Sequence, residues 1–304
     1  MSCILNFIKR IFKTVYWFPC YFYYVLRAKF FHDVIFCQCW SRFLFFRRKD
    51  LNWGDDLNKY FFEYATGKKI AFIPYDKTFL PRNIHYSLIG STISHYNLKN
   101  TIIYGSGLMN PDEKITCKPL KIISVRGNKT REALLNQNIN CPESFGDPAL
   151  LLPIFYTPRK TETSKYLLIP HKGTKNLEYV NKFLSEYGGK IINISRYKKW
   201  TDIIDAIFSS EFVISESLHG IITAETYGIP NIWAEFIKHE NSWDFKYNDF
   251  YESIGKFNMK SFKLYEKYDF KDLIAFKNSW SKGNINYEDL LEKFPFSKRN
   301  NSCS

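Results

Sequence analysis

Between Lys165 and Phe236 four short apolar runs, "KYLLIP", "KIINIS", "EFVIS" and "NIWAEF", are separated by three longer amphipathic ones, "LEYVNKFLSEYGG", "WTDIIDAIFSS" and "HGIITAETYG". The short runs, rich in Ile, Leu and Val, read as strands buried on both faces, and the longer segments carry helical periodicity. Strands that alternate with helices across loops of a few residues are joined by right-handed crossovers into a parallel sheet. No other feature of the sequence narrows the architecture as far.

The first half carries the same rhythm less regularly. "RFLFF" reads as a strand. "GDDLNKYFFEYATG" reads as a helix, with Leu57, Tyr60, Phe61 and Tyr64 at i, i+3, i+4 and i+7 and Gly67 as its stop. "KIAFIP", "YSLIGS", "TIIYGSG" and "KIISVRG" follow as strands, "NKTREALLNQNI" as a helix capped by Asn128, and "ESFGDPALLLP" closes the half. The expected fold class is α/β, with two Rossmann-like lobes of parallel sheet. The active site is expected in the interlobe cleft, where the carboxyl ends of the strands face each other. The Pro-, Thr- and charge-rich "TPRKTETSK" marks the join. We place a basic aromatic arm at 1–40, the lobes at 41–158 and 159–256, and a Lys- and aromatic-rich, partly helical tail at 257–304, free to return to the first lobe. A chain of 304 residues is long enough to give both lobes a core.

Charge is uneven along the chain. Of a net +13, a surplus of seven falls within the first 50 residues, where nine Lys or Arg meet only Asp33 and Asp50. The same stretch holds "VYWFPCYFYYVL". Aromatic rings favour the headgroup level of a bilayer and basic side chains favour anionic lipid, so the arm suits a segment lying on a membrane surface. It equally suits an arm packed on its own protein or on a second subunit. The run is too short for a span, which needs roughly 20 residues, and no small-residue cleavage site follows it. Nucleic acid is excluded as a partner, because the basic excess belongs to an apolar arm rather than to a stacking platform or a groove-reading helix.

Seven scattered cysteines form no disulfide framework, and "CQCW" is too tight for a zinc half-site. The expected setting is a reducing cytoplasm, peripheral on the inner face of the cytoplasmic membrane if the arm binds lipid. The sequence leaves the oligomeric state open.

Candidate site residues cluster at strand ends. In "NWGDDLN", Asp55 stands where it could cap the following helix or orient a sugar hydroxyl. Gly105, Ser106 and Gly107 form either a tight turn or a place of close backbone approach. Arg126 ends a strand just before a helix and suits a bidentate grip on carboxylate or phosphate, or a surface ion pair. Asp147, before Pro148, reads as a cap or turn residue. His171 and Lys172 leave the first strand of the second lobe. In "ISESLHGIITAETYGIP", Ser215, Glu216 and Ser217 leave a strand, and Leu218, His219 and Gly220 open a helix whose free N–H groups favour an anion. His219 beside them has an ordinary pKa near neutrality and reads as a proton-transfer group, or as a half-buried structural histidine.

Taken in order, "NWGDDLN", "IGS", "GSG", "VRGNKTREALL", "FGDPALLLP" and "SESLHGIITAETYGIPNIW" resemble the polysaccharide pyruvyl transferase family, and "YNDFYESIG" with the closing "FPF" resembles its capsule and exopolysaccharide branch. The resemblance runs from about Asn52 to Gly255. It implies a GT-B-like two-lobed fold, phosphoenolpyruvate as donor and a hexose in a surface polysaccharide or lipid-linked repeat unit as acceptor. The implied product is a cyclic pyruvate ketal, with phosphoenolpyruvate as co-substrate; no other cofactor and no metal ligands are assigned, and the sequence leaves open whether a divalent ion assists. On this resemblance Arg126 matches the donor-binding arginine and His219 the histidine of Leu-His-Gly, so these two are the catalytic candidates. The substrate-binding set is Asp55, Gly105, Ser106, Gly107, His171, Lys172, Glu216, Ser217, Leu218 and Gly220. Many members carry arginine before Leu-His where this chain has Ser217, so either another cation such as Lys172 meets the donor's charge or the donor differs. Two other readings fit the same residues: a nucleotide-sugar glycosyltransferase of the same architecture, and a non-catalytic membrane-surface binding protein.

Overall fold

The structure is a computed structural model that describes residues 19–40, 42–44, 47–49, 51–73, 82–174, 177–239 and 243–297. The first 18 residues of the expected arm, with Cys3, and the last residues of the tail, with Cys303, lie outside the described residues.

A helix α1 (19–31) leads into β1 (Val34–Cys37), followed by a two-stranded hairpin, β2 (Arg42–Leu44) and β3 (Arg47–Lys49). Then come α2 (Trp53–Thr66), β4 (Lys69–Phe72), β5 (His85–Ser87), β6 (Thr101–Tyr104), β7 (Lys121–Ser124), α3 (Asn128–Leu135) and the short α4 (Leu152–Phe155). The second half runs β8 (Leu167–Ile169), α5 (Glu178–Tyr187), β9 (Lys190–Ile191), α6 (Thr201–Phe208), β10 (Val213–Ser215), α7 (Leu218–Tyr227) and β11 (Asn231–Glu235). It continues with α8 (Asp244–Ser253), β12 (Phe262–Lys263), α9 (Phe270–Ser279) and α10 (Tyr287–Glu292).

Each half builds a five-stranded sheet, β4-β1-β5-β6-β7 in the first and β9-β8-β10-β11-β12 in the second, and every pairing within them is parallel. The strand order is the same in both. The chain steps from the first strand outward to one neighbour, then returns across the first strand to build the other side. A crevice opens where the direction reverses, at the carboxyl ends of β1 and β5 in one lobe and of β8 and β10 in the other. The strands are short apolar runs buried on both faces, as in Val213, Ile214 and Ser215 of β10, because helices cover the sheet.

One apolar core runs through both lobes. It joins Trp53, Leu57 and Phe61 of α2 to Leu218, Ile221 and Ile222 of α7 and to Leu167 and Ile169 of β8. Burying a side chain of this size contributes roughly 1.5–3 kcal/mol. Polar bonds fix the seam: the Trp53 backbone N–H donates to the Ile194 carbonyl (3.0 Å), its indole donates to the Trp200 carbonyl (2.7 Å), and the Tyr197 hydroxyl donates to Asp56. The tail returns to the first lobe, where Phe294 stacks on Phe62 and the Tyr104 hydroxyl donates to the Leu290 carbonyl (2.5 Å).

Several local expectations shift. The sheet strand lies at "VIFC", inside the stretch read as arm, whereas "RFLFF" contributes β2, which among the described residues pairs with β3 alone. In so aromatic a region, hydrophobicity marks no boundary. The cap of α2 is Asn52 rather than Asp55, and that of α3 is Gly127 rather than Asn128. Along α2 the buried stripe takes Phe62 in, while Tyr64, 45% exposed, leaves its ring at the surface. Gly67, at φ 71°, stops the helix as expected.

Helix α1 packs Tyr21, Tyr24, Val25 and Ala28 against Phe36, Ala71, Ile73 and Tyr96. Its opposite face shows Phe22, Tyr23, Leu26, Phe30 and Phe31 to solvent. Among the described residues no helix is long and apolar enough to cross a membrane. The described cysteines, Cys20, Cys37, Cys39, Cys117 and Cys141, are all free thiols.

Candidate active site

Both strand-order reversals open onto one buried polar cluster, assembled by the first turns of α2 and α7 and the start of α8. On the first lobe's side, Asn58 of α2 holds the loop after β5, donating to the Ile89 carbonyl (2.8 Å) and accepting from the Ile89 N–H (3.0 Å). That grip brings Gly90 beside Asp55, where an added Cβ would stand 3.3 Å from Asp55 Oδ1. Asp55 accepts from the Asn52 amide (2.6 Å) and does not cap its helix. Burial raises its carboxyl to about 6, opposed by the nearby charges of Lys172 and Lys246.

On the second lobe's side, the first turn of α7 packs closely on the end of β10 at Gly220, where a Cβ would fall 2.4 Å from Ser215 Oγ. The Ser217 backbone N–H donates to that same Oγ (3.0 Å), and no side chain caps α7. His219 emerges in the first turn of α7 with its ring packed against α2, where a Cβ on Gly54 would lie 2.1 Å from Nδ1. Leu218 packs into the shared core.

The Nε2 edge of His219 faces Asp147 Oδ2 at 3.9 Å, and neither atom has a hydrogen-bond partner. The other oxygen of Asp147 does the turn work read from the sequence, accepting from the Ala149 N–H (2.9 Å). Burial drives the two groups in opposite senses. Desolvation, with Arg126 and Lys246 adding positive charge, lowers His219 to about 3, while desolvation raises Asp147 to about 7. At neutral pH the imidazole is uncharged with a free lone pair and the carboxyl is poised to lose or keep its proton. Two titratable groups whose environments push their affinities in opposite senses, each with an unpartnered atom facing the other, mark a candidate acid–base site.

Glu216 organises the site rather than presenting a charge to it. Fully buried, it accepts from the His171 N–H (3.0 Å), the Thr174 hydroxyl (2.5 Å), the Phe236 N–H (2.9 Å) and the His239 ring (2.8 Å). These bonds tie the loop after β8 to the end of β11 and set His171 in the cluster. The Gly173 N–H donates to His171 Nδ1 (3.1 Å), and burial with nearby Lys246 lowers that imidazole to about 4. Trp243 lies between the rings of His171 (4.7 Å) and His239 (4.1 Å). Lys172 is exposed at the rim.

Arg126 is wholly buried and already engaged. Its Nε donates to Asp249 Oδ2 (2.9 Å), one terminal nitrogen to Ser91 Oγ (2.8 Å) and the other to the Leu108 carbonyl (2.6 Å). Asp249 also caps α3, taking the Thr130 N–H (2.8 Å) and hydroxyl (2.7 Å). A carboxylate of α8 thus fills the anion position that the arginine and helix start create, and Arg126 reaches His219, Asp147 and Lys246 through its field. The glycine turn serves the same arrangement. A Cβ on Gly107 would sit 2.5 Å from the Arg126 guanidinium carbon, and one on Gly105, at φ 78°, would strike Pro148. Ser106 donates to the Gly90 carbonyl (2.7 Å).

Asp55, His171, Lys172, Glu216, Ser217 and His219 therefore converge, whereas Gly105, Ser106 and Gly107 support Arg126 from behind. Sequence reasoning gave Asp147 no chemical role and passed over Lys246 and Asp249. Both of the latter lie in or beside "YNDFYESIG", where polar residues set among aromatics were the only available signal. Among the described residues no group of three or more His, Cys, Asp or Glu is placed to hold a metal ion.

Comparison with known proteins bears on this cluster. The profile of the family described as polysaccharide pyruvyl transferase matches residues 22–235, which include Asp55, Arg126, Asp147 and His219. An uncharacterized protein of Acanthamoeba polyphaga mimivirus is 30% identical over 199 residues, covering 62% of this chain and 65% of its own length. No solved structure matches.

Proposed function

The chain belongs to the polysaccharide pyruvyl transferase family, and from that premise we propose that it moves the pyruvyl group of phosphoenolpyruvate onto two hydroxyls of a hexose in a surface polysaccharide or lipid-linked repeat unit, forming a cyclic ketal. The observation that carries this reading is the unpartnered pair His219 Nε2 and Asp147 Oδ2, set beside the uncapped start of α7. The chemistry needs such a pair. Attack of the first hydroxyl at C2 of the donor forms a C–O bond, releases the hydroxyl proton and requires a proton at C3. The C2–O bond to phosphate then breaks, and the second hydroxyl closes the ring as its proton leaves with the phosphate.

In this account neutral His219 takes a hydroxyl proton, and Asp147, holding its own near neutrality, supplies or receives one through the imidazole. Asp55 accepts a hydrogen bond from an acceptor hydroxyl. Arg126, bound to Asp249, Ser91 and the Leu108 carbonyl, holds the floor of the site in place. The exposed face of α1 supports docking of the enzyme at a membrane surface, where a lipid-linked acceptor resides. The direct test is release of phosphate from phosphoenolpyruvate in the presence of candidate lipid-linked hexoses. Phosphate release that depends on acceptor supports the reading; turnover of a nucleotide sugar with no use of phosphoenolpyruvate would replace it.

A further inference from the structure

A donor that carries both phosphate and carboxylate needs a cation, and the two obvious ones are committed or missing. Arg126 spends its guanidinium on Asp249, Ser91 and Leu108, and Ser217 brings no charge to the start of α7. Lys172 lies exposed at the rim, and a further cation is built into the interior of the cluster. Lys246, in the first turn of α8, is only 7% exposed, yet among the described residues it has no hydrogen bond and no ion pair. Its Nζ rests over the faces of Trp243 (4.2 Å) and Tyr247 (5.2 Å). The Tyr247 hydroxyl donates to the Glu216 carbonyl (2.7 Å), so the turn that carries Lys246 is pinned to the turn that opens α7.

We infer that Lys246 is the cation that seats the anionic head of the donor, phosphate or carboxylate, against the first turn of α7. The inference rests on the pyruvyl-transfer reading and adds the binding residue that reading lacks. An ammonium buried to this degree without a counter-ion is costly, and an incoming anion removes the cost. The aromatic faces hold the charge without neutralising it, which leaves its donors free. The neighbouring carboxylates do not take that place. Glu216 is saturated by four donors, and Asp55, whose field reaches Lys246, forms no ion pair with it. Burial and the Arg126 charge lower Lys246 to about 7, consistent with a cation short of anionic company.

The test compares wild-type protein with Lys246→Met and Lys246→Arg, measuring binding of phosphoenolpyruvate, inorganic phosphate and pyruvate by calorimetry, and thermal unfolding without ligand. Lys246→Met is expected to bind phosphoenolpyruvate roughly thirtyfold more weakly, with Lys246→Arg recovering most of the loss. Ligand-free Lys246→Met should unfold at or above the wild-type temperature, because the change removes a buried unpaired charge; a residue needed only for packing would lower it. Whichever of phosphate or pyruvate shows the Lys246-dependent loss identifies the group it seats. Equal phosphoenolpyruvate affinity in wild type and Lys246→Met would overturn the assignment while leaving pyruvyl transfer standing. Wild-type protein that binds phosphate through Lys246 but ignores phosphoenolpyruvate would overturn pyruvyl transfer alone. Protein that binds none of the three would overturn both.

Discussion

His219 and Asp147 face each other across 3.9 Å with one unpartnered polar atom apiece, held there from opposite lobes. Asp147 is fixed by the turn it caps before Leu152, and His219 by the wall that α2 presents at Gly54. Neither can turn to another partner without unpacking its surroundings.

Their opposed shifts make a prediction about stability and pH. The folded chain keeps the Asp147 proton up to about pH 7, whereas the unfolded chain releases it near 3.8, so this group alone makes stability fall as pH rises through that window. His219 does the reverse. Its folded value of about 3 against an ordinary 6.5 means that stability is lost as pH falls through that range. In wild type the two slopes oppose each other between about pH 4 and 6.5. Asp147→Asn removes one of them, so its stability should fall with acidification more steeply than wild type, by up to ~1.4 kcal/mol per pH unit. Urea titrations at a series of pH values would measure this, and parallel pH profiles for the two proteins would contradict it.

The seam at Arg126 predicts a different signature. Asp249→Ala leaves a guanidinium buried without its counter-charge and should cost about 3–5 kcal/mol. The double variant with Arg126→Met should recover much of that loss. Denaturant midpoints of the four proteins in the cycle decide it, and additive losses would show that the two side chains act independently.

At Gly54 a single methyl is enough to test the wall behind His219. Gly54→Ala drives a Cβ into the imidazole and should cost ~1–3 kcal/mol through overpacking, while lowering turnover more than donor affinity. Unchanged unfolding and unchanged kcat would mean that the ring is free to move.

The face of α1 can be tested apart from the chemistry. Phe30 and Phe31 are 70% and 68% exposed and point away from the helix's buried side. Replacing both with Ser should weaken sedimentation with anionic vesicles at least about tenfold while leaving phosphoenolpyruvate binding unchanged. Wild-type protein that ignores such vesicles would remove the membrane from the account.

What the sequence made legible follows from the range over which each signal acts. The alternation from Lys165 to Phe236 is local, and each strand and helix it implies is present in a parallel sheet. The convergence of His219 with Asp55 and His171 could be anticipated because strand ends in such sheets share an edge. Other features depended on partners far away in the chain. Asp249 lies 123 residues from Arg126, and only folding shows that it occupies the anion position beside α3. Asp55 looked like a cap because caps are assigned by spacing, whereas its carboxylate turns toward Asn52 and the lysines of the second lobe. Lys246 gave no motif at all, since what distinguishes it is the lack of a partner.

The most direct measurement is acceptor-dependent phosphate release from phosphoenolpyruvate by wild-type protein and by His219→Ala, with donor affinity measured on both. The account predicts turnover in wild type, its loss in the variant by a factor of at least about a hundred, and donor affinity within a few-fold of wild type. Undiminished turnover in His219→Ala would contradict it.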